Sequence, residues 1–273
     1  MANALLAWDN RAHGADLVIH ADGWWTYTAT INNLKLASLA QRFVSTSAAA
    51  TSTRFTCGFA GNPTIGLIAL CTHNLTLSAT VRVRASNVGD FSSTVYDSGT
   101  LPAFPAGVTE ASRAGMRWNW IHRLTTPTAA TFWRIEPIDT GNPAGYVSVG
   151  RLFAGRGVWQ PSVNMTAGAG LGWEANHNIQ RSIGGEEWFE EVEGHRVARF
   201  DLGPIDEGEA LTNAFDLQRV AAGERREVIF VWDPSDGVHA VRRSLLGRLR
   251  QLSPIEAPYA AASRTAFEIK ELL

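Results

Sequence analysis

Residues 65–86 read IGLIALCTHNLTLSATVRVRAS, from Ile65 to Ser86. The run opens on Ile65, Leu67, Ile68 and Leu70, breaks at Cys71-Thr72-His73-Asn74 and resumes as Leu75 to Ala85. In its second half Ala79, Val81, Val83 and Ala85 alternate with Thr80, Arg82 and Arg84. A period of two belongs to a strand with one dry and one wet face. The first half has no wet face, which predicts a strand buried on both sides. Two such strands joined by a short polar break predict a layered β-domain.

Working outward, Thr53 to Ala60 reads as a strand closed by the turn Gly61-Asn62-Pro63. Thr131 to Ile138 and Tyr146 to Ala154 read as a hairpin around the turn residues Thr140 to Gly145. Residues 1–45 read as irregular, with Leu34, Leu36, Leu39 and Phe43 as apolar anchors, and residues 100–130 read as a long irregular loop. A loop of that length in a compact domain is often functional. Short strands separated by turns, without a helical pattern, predict an all-β sandwich over residues 1–157.

Gly155 to Gly172 is rich in Gly, Ala and Pro and is the expected boundary. Beyond it, Arg196 to Leu202 alternates with Ala198, Phe200 and Leu202 inward. Glu227 to Trp232 is a continuous apolar strand, and Ser244 to Leu252 and Thr265 to Leu272 are further strands. Asp206 and Glu209 make a capping-box-like start to the one clear helix, which runs from Glu207 to about Ala222 and stops at Gly223. Residues 158–273 are therefore expected to form a smaller β-rich domain with one helix.

At 273 residues and 45% hydrophobic content the chain can bury a full core. The net charge of −2 argues against a nucleic-acid binder, which usually carries a basic excess. Residues 1–157 carry 12 basic and 8 acidic groups, and residues 158–273 carry 12 basic and 18 acidic groups. Opposite signs suit parts that stack on each other, and ordinary scatter gives the same split. The N-terminus has no basic region followed by an apolar core, so no signal peptide is expected. No apolar run approaches the ~20 residues of a membrane span, so no membrane insertion is expected. Cys57 and Cys71 give no disulfide framework; on adjacent predicted strands they either face each other or serve as small buried hydrophobes.

The runs Ile68 to Leu75, Ala79 to Arg84, Phe132-Trp133-Arg134-Ile135-Glu136 and Gly150-Arg151-Leu152-Phe153, with Asn33-Leu34 to Phe43 ahead of them, resemble a discoidin-like (galactose-binding-like) jelly roll. The full-length pattern, with GRLFAG at 150–155 and RTAFEIKELL at the end, resembles tail or baseplate proteins of long-tailed bacteriophages. The second half also resembles the β-barrel-plus-helix module of phage tail rings. The resemblance implies a mainly β chain, with a jelly roll followed by a smaller β-barrel-like domain. It further implies a structural component of a tail tip or baseplate, made in the host cytoplasm and built into the virion. Its partners would be other tail proteins and copies of itself in a ring-like oligomer. A carbohydrate-binding module that attaches to host-surface polysaccharide is the alternative.

Motifs of catalysis are missing from the sequence: there is no HxH, HExxH, CxxC, GxSxG, P-loop or GxGxxG. Neither an enzyme, a cofactor nor a metal is expected. Gly168 to Gly172 reads as linker, and Glu186 to Glu193 as a solvated edge around Trp188-Phe189. The aromatic clusters Trp24-Trp25 and Trp118-Asn119-Trp120 with His122 are the candidates for glycan or interface contact. Trp stacks on a sugar face and is also enriched in cores and interfaces. Arg242, Arg243, Arg248 and Arg250 form the densest basic group and are the candidates for inter-subunit contact with an acidic face.

Overall fold

The computed structural model describes residues 2–13, 17–20, 23–24, 29–175, 177–222, 225–259 and 262–273. The strands in chain order begin with β1 (Leu5–Asn10), β2 (Leu17–His20), β3 (Phe43–Val44), β4 (Phe55–Phe59), β5 (Thr64–His73) and β6 (Thr80–Ser86). They continue with β7 (Tyr96–Pro102), β8 (Asn119–Ala129), β9 (Phe132–Ile138), β10 (Ser148–Trp159), β11 (Gly170–Glu174) and β12 (Asn178–Arg181). The last are β13 (Glu187–Glu190), β14 (His195–Asp206), β15 (Glu227–Val231), β16 (Ser244–Leu252), β17 (Glu256–Tyr259) and β18 (Ala262–Glu271). The protein is mainly β, as its sequence predicts.

The two halves of residues 65–86 fall in opposite layers. β5 belongs to a large sheet of order β11-β14-β18-β16-β15-β1-β10-β5-β8, and β6 to a five-stranded sheet of order β2-β4-β9-β6-β7. The polar break at 71–74 is where the chain crosses between layers. The five-stranded sheet packs over β10, β5 and β8 as a jelly-roll sandwich. Its core takes Val81, Val83 and Ala85 from β6 and Ile65, Ile68 and Leu70 from β5, with Trp133 and Phe43. Every β5 residue after Thr64 is buried, because the opposite face is also covered.

That opposite face carries Leu67, Ala69 and Cys71 with Leu5, Ala7, Phe153, Ile229 and Leu246. The large sheet curls around this cluster, bringing β8 towards β16, but it stays open and no closed barrel forms. A third core lies beyond β1, where Leu6, Trp8, Phe200, Phe230 and Phe267 pack against Ala210, Ala214 and Leu217 of the helix over residues 207–221. Asp206 caps that helix, accepting from Gly208 N and Glu209 N, and a π-turn at Ala210–Phe215 interrupts it. It ends at Ala222, which is left-handed at φ 47°.

Several expectations need correction. Residues 119–129 are a strand, not part of a loop, because Trp118, Trp120 and Leu124 alternate into the sandwich core. β9 and β10 are not a hairpin; one pairs with β4 and β6, the other with β1 and β5, so the turn between them joins layers. Residues 170–174 pair with β14 and are strand, not linker. Leu5–Asn10, placed in an irregular region by sequence, is a buried strand between β10 and β15. Cys57 and Cys71 lie in different sheets and different cores, and both are free. They are the small buried hydrophobes of the second alternative.

Candidate functional site

β8 is an end strand of the large sheet, and a groove of about 370 Å³ runs beside it. Trp118 and Trp120 reach it from the sandwich side, and Asn119, Ile121 and Arg123 from the other face. The end of β7 and the loop after it add Pro102, Phe104 and Pro105. Asp233, Pro234, Asp236, Ala240, Val241 and Ser244 close the end. The mixture of aromatic wall and a few polar groups is the usual make-up of a small-molecule site.

The aromatic wall is locked from behind. Trp118 stands edge-on to Phe104, with centroids 4.4 Å apart at 89°. The Arg113 guanidinium lies 5.2 Å from the Trp118 ring centroid. Trp120 Nε1 donates to Pro102 O at 3.3 Å, and its ring stacks on His122 at 5.8 Å. His122 Nε2 meets Tyr96 Oη at 2.5 Å. Burial holds the His122 pKa below its ordinary value, so the ring is neutral near pH 7. Asp236 accepts from Arg243 Nη1 at 2.8 Å and from His239 N at 2.9 Å. Asp233 accepts from Ala2 N at 3.0 Å and from Ser235. Among the described residues no group of three His, Cys, Asp or Glu gathers in metal-ligand geometry.

Four of the six aromatic-cluster candidates, Trp118, Asn119, Trp120 and His122, therefore meet at one place. Both Trp are more than nine-tenths buried, so each offers the groove a ring edge and not an open platform. Trp24 does not join them: it stacks on Phe43 at 3.9 Å inside the sandwich, where its Nε1 donates to Arg54 O. Trp25 lies outside the described residues.

The arginine candidates separate into two places. Arg242 and Arg243 sit in a short helix, Ala240–Arg243, and line a trough of about 390 Å³ with Leu171, Trp232 and His239. Arg248 and Arg250 lie on β16 beside a second depression that includes His195 and Lys270. Arg250 is held there by Glu174 at 2.7 Å and Glu268 at 3.2 Å.

Sequence reasoning missed a third feature. Among the described residues β12 and β13 pair only with each other, in a hairpin whose apolar side chains are bare: Trp188 is 67% exposed, Phe189 61% and Ile179 55%. The signal was there in an apolar pair, Trp188-Phe189, three residues beyond a Gly-Gly turn. The carboxylates that flank it make it read as a solvated edge. Phe104 and Asp236 are groove members that the sequence does not reveal, because the chain brings them from far apart.

No protein-family model and no curated protein matches the chain. Solved structures similar to it include the family 32 carbohydrate-binding module of NanJ from Clostridium perfringens, in complex with galactose. That match is 12% identical, covers 51% of this chain and 93% of that one, and has a TM-score of 0.38. Another is a family 32 module from a family 31 glycoside hydrolase of Clostridium perfringens, 11% identical, covering 54% and 98%, at 0.38. A third, a family 32 module of a family 89 glycoside hydrolase of the same organism, is 14% identical and covers 55% and 100%, at 0.38.

Proposed function

We propose that the protein is a non-catalytic carbohydrate-binding protein whose jelly roll takes a sugar unit in the groove beside β8. The observation that carries this reading is the convergence of Trp118, Asn119, Trp120 and His122, separated in the fold from Trp24, on one groove with Phe104, Arg123 and Asp236. Its volume of about 370 Å³ suits one or two sugar rings. Asn119, Arg123 and Asp236 supply donors and acceptors for hydroxyls, and the ring edges supply apolar contact. The test is intrinsic tryptophan fluorescence of the purified protein titrated with simple sugars, galactose among them, and with host-surface polysaccharides. Binding should quench or shift the emission, and Asn119→Ala with Arg123→Ala should weaken it about tenfold or more. If no sugar or polysaccharide changes the emission, the reading is wrong.

A second reading, a structural subunit of a bacteriophage tail tip or baseplate, follows from the sequence resemblance and is favoured by the bare hairpin. A monomer in solution gains nothing by exposing Trp188, Phe189 and Ile179, and exposed apolar patches mark contact sites. Electron microscopy of virions with and without this protein is the test; intact tails lacking it would remove this reading.

A further inference from the structure

The hairpin and the arginine trough match each other. We propose that the β12–β13 hairpin of one copy docks in the trough of a second copy, formed by Leu171, Trp232, His239, Arg242 and Arg243. This rests on the second reading only in requiring self-assembly; it needs neither a virion nor a sugar.

On the hairpin, Ile179 lies opposite Phe189 and Gln180 opposite Trp188, so the two strands place apolar groups on both faces. A lone two-stranded hairpin is marginal in water and is normally held by something packed on it. Here no third strand joins it among the described residues, and its large side chains remain more than half exposed. Around those groups, residues 177–193 carry five carboxylates, of which Glu187 pairs with Arg181 and Glu193 with Arg117, so the rim keeps a net negative charge. The segment is thus an apolar wedge with an acidic rim.

The trough is the reverse. Its floor is apolar, with Trp232 edge-on to Phe230 at 6.2 Å and Leu171 beside it. Its rim is cationic: Arg242 is exposed and makes no ion pair among the described residues, and Arg243 shares Asp236. Aromatic wedge into apolar floor, with carboxylates against arginines, satisfies both parts of an interface, a desolvated centre and a charged rim. Hairpin and trough are different surfaces of one chain, so the contact propagates from copy to copy; it closes as a reciprocal pair or a ring where the rotation permits and extends as a filament where it does not.

The experiment is sedimentation velocity on the full-length protein, with thermal melts as the fold control. Wild-type protein should self-associate, more strongly at low salt because the rim is ionic. Trp188→Ser and, separately, Arg242→Glu should each weaken association at least tenfold with unchanged melting. Adding Glu191→Arg to Arg242→Glu should restore it, since the opposed charges are exchanged. An equimolar mixture of the Trp188→Ser and Arg242→Glu proteins should form heterodimers, because one intact hairpin then meets one intact trough. A wild-type protein that stays monomeric up to about 1 mM, where even weak contacts register, overturns the proposal. So does self-association that neither substitution touches. If copies associate as described but the protein is missing from virions, the docking stands and the tail reading falls.

Discussion

Arg151 and Glu227 form a buried ion pair that ties the jelly-roll strand β10 to β15 across the large sheet. Arg151 Nε donates to Glu227 Oε1 at 3.0 Å, Arg151 Nη1 donates to Leu34 O at 3.2 Å, and Asn10 Nδ2 reaches the same Glu227 oxygen at 2.8 Å. Burial favours the neutral carboxyl, but the Arg151 charge and the hydrogen bonds from Arg151 and Asn10 outweigh it and hold the Glu227 pKa below its ordinary value. Removing one partner leaves a buried charge alone, which costs about 3–5 kcal/mol, whereas replacing both by apolar groups is often nearly neutral. Glu227→Gln should therefore lower stability in urea melts by that amount, and Arg151→Leu with Glu227→Leu should lose much less. The pH dependence follows the sign of the shift. A depressed carboxyl contributes stability above its unfolded value of 4.5 that is lost as pH falls towards the folded value. The Glu227→Gln protein should show a smaller loss of stability below pH 4.5 than wild type.

His73 adds an acid sensitivity at higher pH. It ends β5, its Nδ1 accepts from Leu75 N at 3.2 Å, and its Nε2 is buried without a hydrogen-bond partner among the described residues. Burial, reinforced by the charge of Arg113, lowers its pKa from 6.5 to about 3. The unfolded chain binds the proton first, so stability is complete above 6.5 and falls as pH drops from there towards 3. The slope approaches about 1.4 kcal/mol per pH unit. Urea melts at pH 7 and pH 5 should differ by more in wild type than in His73→Gln; equal differences would show that the ring is not kept neutral.

Much of this architecture is legible in the sequence, and what is not has a physical reason. The alternation of Val81, Val83 and Ala85 fixes which face of β6 is dry, because a strand's side chains have only two directions to point. The helix start at Asp206 is likewise local, a side chain capping the amides two and three residues on. The partner of each strand is not local. Residues 132–138 and 148–159 look like a hairpin because a turn separates them, but both strands have dry faces on a shared core and so lie in opposite layers. The strand over 119–129 is hidden because its outer end, Thr125-Thr126-Pro127-Thr128, combines polar residues with a proline that argues against a strand. The groove depends on these tertiary facts, since it joins Trp118–Arg123 to the loop at 233–236. Its four sequence candidates were legible as an aromatic cluster; the residues facing them were not.

Gly157 of β10 has no room for a side chain. It lies opposite Trp8 of β1, and a Cβ built on it would stand 2.3 Å from Trp8 Cε2. The indole cannot retreat without loss, because its Nε1 donates to Asp216 Oδ2 of the helix at 3.0 Å and its ring fills the third core. Forcing a methyl into a packed core costs about 1–3 kcal/mol. Gly157→Ala should therefore lower the melting temperature by several degrees, on the order of 2–4 °C per kcal/mol for a chain of this size. An unchanged melting temperature would mean that Trp8 has room to move.

The hairpin predicts the opposite outcome. Its large side chains lie mostly in water, and among the described residues its two strands pair only with each other and contribute to none of the three cores. Surface substitutions away from such cores usually change stability by less than about 0.5 kcal/mol. Replacing Trp188 and Phe189 together by Ser should leave the melting temperature of dilute protein within about a degree of wild type. Trp133→Ser, at a fully buried position of similar size, should abolish cooperative melting at ordinary temperatures. The contrast is read by near-ultraviolet circular dichroism, which loses its tertiary signal in the second variant alone. A large drop for the hairpin double variant would show that these side chains pack on their own chain.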